Sequence, residues 1–85
     1  MEFNHIIIYG NNKEGATPET WTKAIEGLKK YGLELVYRGA PLGVSENRVL
    51  IIKGSMSEYA KMISDPKSPT NEIMTNTRSI VCLTP

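Results

Sequence analysis

Hydrophobic positions run consecutively at the start of the chain, then take up a helical period, and the two patterns alternate to its end. Phe3 to Tyr9 is β-branched and aromatic, and Gly10-Asn11-Asn12 interrupts it, which predicts a first strand followed by a loop through Ala16. From Thr17 the period lengthens. Thr17 has the chemistry of an N-cap, Pro18 suits the first helical position, Glu19 falls in the first turn, and Trp21, Ala24, Ile25, Leu28 and Tyr31 recur on one helical face. Gly32 ends this helix where a left-handed residue is wanted.

Leu33 to Arg38 reads as a second strand, with Leu33, Leu35 and Tyr37 on one face and Glu34, Val36 and Arg38 on the other. Gly39-Ala40-Pro41-Leu42-Gly43 breaks it, and Arg48 to Lys53 is a third strand, placed to form an antiparallel hairpin with the second. Ser55-Met56-Ser57-Glu58 has capping-box spacing, and Tyr59, Met62 and Ile63 follow as a helical stripe that Asp65-Pro66 terminates. Lys67 to Asn76 is polar apart from Ile73 and Met74 and reads as a loop or one extra helical turn; Arg78 to Leu83 supplies the last strand.

The order β-α-β-β-α-β predicts an α+β, ferredoxin-like fold: a four-stranded antiparallel sheet with two helices on one face, right-handed crossovers placing both there. One domain spanning residues 1–85 is expected at this length. Ile6-Ile7-Ile8 and Val49-Leu50-Ile51-Ile52 are apolar on consecutive residues, hence on both sheet faces, and the helices cover only one. Four strands of typical length leave roughly 300 Å² of second face. The simplest cover is a second copy of the chain, so a homodimer with sheet facing sheet is expected.

Composition excludes several classes. Hydrophobic residues at 40% and charged residues at 22% suit a globular chain and oppose wholesale disorder. Ten Lys and Arg against nine Asp and Glu, a net charge of +1, lack the basic excess of a nucleic-acid partner. The third strand, Arg48 to Lys53, has no ring on which a base could stack. With one cysteine, Cys82, and one histidine, His5, neither an intrachain disulfide nor a four-ligand zinc site forms, and no metal or other cofactor is expected. The N-terminus has neither a basic n-region nor a signal-length apolar run, and no stretch approaches the roughly 20 apolar residues of a membrane span, so a cytoplasmic protein without membrane attachment is expected.

The run Tyr31-Gly32-Leu33-Glu34-Leu35-Val36-Tyr37-Arg38-Gly39, followed by Val49-Leu50-Ile51-Ile52, resembles a small bacterial family of unknown function within the dimeric α+β barrel superfamily. The resemblance implies paired ferredoxin-like subunits enclosing a cavity. Cofactor-independent monooxygenases, lactone isomerases and small stress-response proteins share that superfamily, but none of their catalytic motifs is recognisable in this sequence.

Candidate site residues therefore come from side-chain chemistry. His5 is a general base or ligand donor on a face shared with Phe3, Ile7 and Tyr9; its bland alternative is a hydrogen-bonded histidine at a strand end. Tyr37 and Arg38 are adjacent on a strand and point to opposite faces, so only one enters any given cavity; Arg38 suits a carboxylate or enolate, or else pairs with Glu34. Trp21 is expected in the core, with pocket lining as its functional alternative, and Cys82 is expected as a buried small hydrophobe. The leading expectation is a homodimer binding an apolar or aromatic metabolite in an intersheet cavity. The alternatives are a cofactor-independent monooxygenase or isomerase, with His5 or Tyr37 handling a proton and Arg38 stabilising an anion, and an interaction module that takes no small ligand. Periodicity leaves open which sheet face lines the cavity.

Overall fold

The computed structural model describes residues 4–83. It comprises β1 (Asn4–Asn12), α1 (Pro18–Leu28), a 3₁₀ turn (Lys29–Tyr31), β2 (Glu34–Gly39), β3 (Arg48–Gly54), α2 (Met56–Ser64), a second 3₁₀ turn (Pro69–Glu72) and β4 (Met74–Cys82). The strands form one antiparallel sheet in the order β2-β3-β1-β4, the ferredoxin-like arrangement that the element order predicts.

Both helices start as their sequences dictate. Thr17 caps α1 by accepting from the backbone N–H of Thr20, whose hydroxyl accepts in return from the Thr17 N–H. Ser55 and Glu58 close the same reciprocal box on α2. Gly32 takes the left-handed conformation at φ 76°, after a tightened last turn that carries α1 into the first 3₁₀ turn. Trp21, Ala24 and Leu28 of α1 and Tyr59 and Met62 of α2 pack on Ile6, Ile8, Leu50 and Ile52 of the central strands. Ile73 and Met74, an isolated apolar pair in a polar stretch, complete this core at 1% and 3% exposure.

The strands depart from the sequence reading in three places. First, β1 runs through Gly10-Asn11-Asn12 instead of stopping there, and β4 begins at Met74 instead of Arg78. The two pair across a bulge in which Asn76 and Thr77 of β4 face Gly10 alone, with Asn76 left-handed at φ 53°. Gly10 permits this close approach: a Cβ there would lie 3.0 Å from Thr77 and 3.1 Å from Met74. Second, the β2–β3 register shifts between Leu35 and Tyr37, so Val36 is extra. Strict alternation puts Tyr37 with Leu35 and Arg38 with Glu34; the bulge instead sets Arg38 with Leu35 on the helix side and Tyr37 with Glu34 on the open side. Glu34 accordingly pairs with Lys53, not Arg38, at 3.5 Å. Third, Cys82 is exposed, because it lies opposite His5 on the uncovered face of the outer strand β4. Phe3, which the sequence also assigns to the first strand, lies outside the described residues.

Candidate functional site

The sheet has two chemically different sides. On the open side, β1 contributes His5, Ile7 and Tyr9, β3 contributes Val49, Ile51 and Lys53, and Tyr37, Ile80 and Arg78 come from the outer strands. Val49 is buried but belongs to no part of the helix-side core; Ile7, Tyr9 and Ile51 are half-buried, whereas Tyr37 and Ile80 are 56% and 45% exposed. This is an apolar surface with a charged border. At one end, loop residues 40–47 fold toward the face, and Arg78 grips Glu46 through Nε at 2.6 Å and Nη2 at 3.2 Å while stacking over the Tyr9 ring at 4.5 Å. The Arg78 guanidinium holds the Glu46 carboxyl below the usual carboxylate range, helped by a backbone N–H. The same loop is tied to the end of β1, where Asn47 N–H donates to Asn11 and Asn47 Oδ1 accepts from Asn12 N–H.

On the helix side, a pocket of about 340 Å³ opens between the start of α1 and the ends of β2 and β3. Asn12, Thr17, Trp21, Arg38 and Arg48 give it its polar and aromatic character, with Ala16, Pro18, Gly39 and Ala40 as small lining residues. The capping box fixes where α1 begins and thereby sets Trp21 into the pocket's floor at 6% exposure. Its indole N–H donates to Asn12 Oδ1 at 2.7 Å, and the Asn12 amide donates in turn to the carbonyls of Lys13 and Ala16. Every polar atom that orients the ring is thus satisfied within the wall. Arg38 lies with its guanidinium carbon 5.6 Å from the Trp21 ring centroid. Arg48 enters from the next strand, its Nη1 donating to the Asn47 carbonyl at 2.8 Å.

The four candidate residues therefore separate into two pairs. Trp21 and Arg38 line one pocket, while His5 and Tyr37 stand on the other side of the sheet. Within one protomer neither His5 nor Tyr37 completes a proton-transfer site with Arg38. Sequence reasoning missed Arg48, Asn12 and Thr17 as pocket residues. For Arg48 a signal existed: alternation places it with Leu50 and Ile52, so if those two face the helices, so does Arg48 at the strand's end. For Asn12 there was none, because its role depends on β1 continuing past Gly10.

Comparison with known proteins places the fold and no more. No protein-family model matches the chain, and no curated protein matches its sequence. Among solved structures, it is similar to a dimeric ferredoxin-like protein of unknown function from Thermobifida fusca, with a TM-score of 0.54 at 12% identity over 98% of this chain and 92% of that one. A protein from Agrobacterium tumefaciens gives a TM-score of 0.50 at 19% identity, covering 93% of this chain and 89% of that one.

Proposed function

We propose that this protein is a single-domain, cytoplasmic homodimer, paired sheet to sheet, whose task is to bind a small metabolite in the Trp21 pocket of each protomer. The observation that carries the dimer is the open face itself, apolar on half-buried Ile7 and Ile51 and exposed Ile80 and bordered by the Lys53–Glu34 and Arg78–Glu46 pairs. Strands of six to nine residues give this face about 500 Å² at ordinary strand spacing. A standard interface takes roughly 800 Å² from each partner, so the loops at the sheet's end must contribute. Leu42, 96% exposed at the tip of loop 40–47, is suited to reach across to the second copy. The similar Thermobifida fusca protein is itself dimeric, which agrees with this reading.

The ligand is assigned to the pocket rather than to the space between sheets because the pocket is already built in one protomer. Its volume of about 340 Å³ is at the lower end of small-molecule sites, and its ring is held rigidly by Asn12. Native mass spectrometry tests both parts together. The expected result is a dimer carrying a reproducible added mass; Ile51→Asp converts it to a monomer that keeps the mass, and Trp21→Ala leaves a dimer that loses it. If Ile51→Asp loses the added mass while Trp21→Ala keeps it, the ligand sits between the sheets and the pocket assignment is wrong.

A further inference from the structure

Resting on the assignment of the ligand to the Trp21 pocket, we infer that this ligand is a small organic anion, a carboxylate or phosphate ester, bound by Arg38 and Arg48 together. Arg38 lies opposite Leu50 in the β2–β3 register, and Arg48 is two residues before Leu50 on the same face. The two arginines are therefore diagonal neighbours on adjacent strands, a relation that spans about 7–8 Å between Cα atoms and lets long side chains converge on one group. Nothing in the wall offsets their charge: the other lining residues are Asn12, Thr17, Trp21 and small neutral ones. Among the described residues the ion pairs are Lys53–Glu34 and Arg78–Glu46, both on the open side, and neither pocket arginine has a carboxylate partner.

Two unpaired guanidinium groups on one face repel each other, and an anion between them removes that repulsion while gaining charge-assisted hydrogen bonds. What positions them leaves their donors available. Arg38 is set against a ring, which uses none of its N–H groups, and Arg48 spends Nη1 on the Asn47 carbonyl. The start of α1, whose cap residue Thr17 is in the wall, adds a positive helix end on the same side. The small lining residues Ala16, Pro18, Gly39 and Ala40 leave space for a compact apolar or aromatic body beside the anionic group. A planar acid fits this combination of a two-arginine clamp and a narrow apolar wall.

Trp21 is the chain's one tryptophan, so its indole N–H resonance and its fluorescence report on this pocket alone. Three probes of similar size, benzoate, phenyl phosphate and the neutral benzamide, are titrated at constant ionic strength into the unsubstituted protein, its Arg48→Gln variant and a Lys30→Gln control. Lys30 is exposed in the first 3₁₀ turn, away from the pocket wall. The expected result is saturable movement of the Trp21 signals by benzoate or phenyl phosphate, binding weakened at least about tenfold in Arg48→Gln, no change in Lys30→Gln, and benzamide weaker by a similar factor. Whichever anion binds tighter identifies the carboxylate or the phosphate as the preferred source of the charge. If benzamide binds as tightly as benzoate and Arg48→Gln has no effect, the anion inference fails and the metabolite pocket stands. If none of the three probes moves the Trp21 signals, both fail. Dispersion of the amide spectrum of Arg48→Gln verifies that the variant is folded.

Discussion

Tyr37 and Arg38 are sequence neighbours with different fates: one stands on the open face and the other is laid against Trp21. Trp21 in turn depends on one hydrogen bond to Asn12. Trp21→Phe keeps a ring under Arg38 but strands the Asn12 carbonyl, and urea denaturation should show a loss of about 1–2 kcal/mol. A second residue-scale contact joins the Tyr31 hydroxyl to Asp65 at 2.5 Å. This bond, with the Lys67 backbone N–H, holds the Asp65 carboxyl below its ordinary value, and the same contact raises the Tyr31 phenol. Because the folded carboxyl titrates lower than the unfolded one, the unfolded chain binds more protons in acid. The contribution of Asp65 is therefore present above about pH 4 and is lost as pH falls through its folded-state pKa. Glu46, held down by Arg78, and Glu58, held down by Ser55, act with the same sign. Tyr31→Phe should flatten the acid limb of stability against pH, and an unchanged limb would remove Asp65 from this account. At this scale the sequence was legible where chemistry is local: Trp21 in the core and Thr17 as a cap follow from neighbours a few residues away. Asn12 was not, since its place in the wall depends on β1 running on past Gly10, and Arg48 could be read only indirectly, through its alternation with Leu50 and Ile52.

Helix boundaries followed the sequence because capping is a short-range signal. The Ser55 hydroxyl and the Glu58 carboxylate exchange hydrogen bonds with each other's backbone N–H groups, as the S-x-x-E spacing requires. Ser55→Ala should lower stability by about 1 kcal/mol in chemical denaturation. Strand boundaries and faces were less legible, since a bulge is chosen by the pairing of two distant strands and leaves little trace in either. The residues around Val36 carry no glycine to mark the register shift, and strict alternation through them assigns Tyr37 and Arg38 to the wrong companions. The Asn76 bulge has a weak local sign, because asparagine tolerates a left-handed backbone better than other residues. Asn76→Val should cost about 1–2 kcal/mol at φ 53°, whereas Asn76→Gly should be close to neutral, as read by thermal melts of the two variants. If both variants melted alike, the left-handed bulge would not be what joins β1 to β4.

For the whole molecule, the consecutive apolar residues of the two central strands carried the most information. Ile6, Ile8, Leu50 and Ile52 are consumed by the helices, Val49 is already buried on the other face, and Ile7 and Ile51 are left half-buried there with no helix over them. The two-sided apolar pattern was thus visible in sequence, whereas the placement of loop 40–47, locked by Glu46 and Asn47, was visible only once Arg78 and Asn11 were placed beside it. The two faces divide the work in the proposed assembly: the open one associates, and the helix-side one holds the ligand. Sedimentation equilibrium of the wild-type chain beside Ile51→Asp measures this division most directly. A sheet-to-sheet dimer has twice the 9.5 kDa chain mass at micromolar concentration, and Ile51→Asp is expected to be a folded monomer. A wild-type monomer at those concentrations, or a dimer that survives Ile51→Asp unchanged, would contradict it.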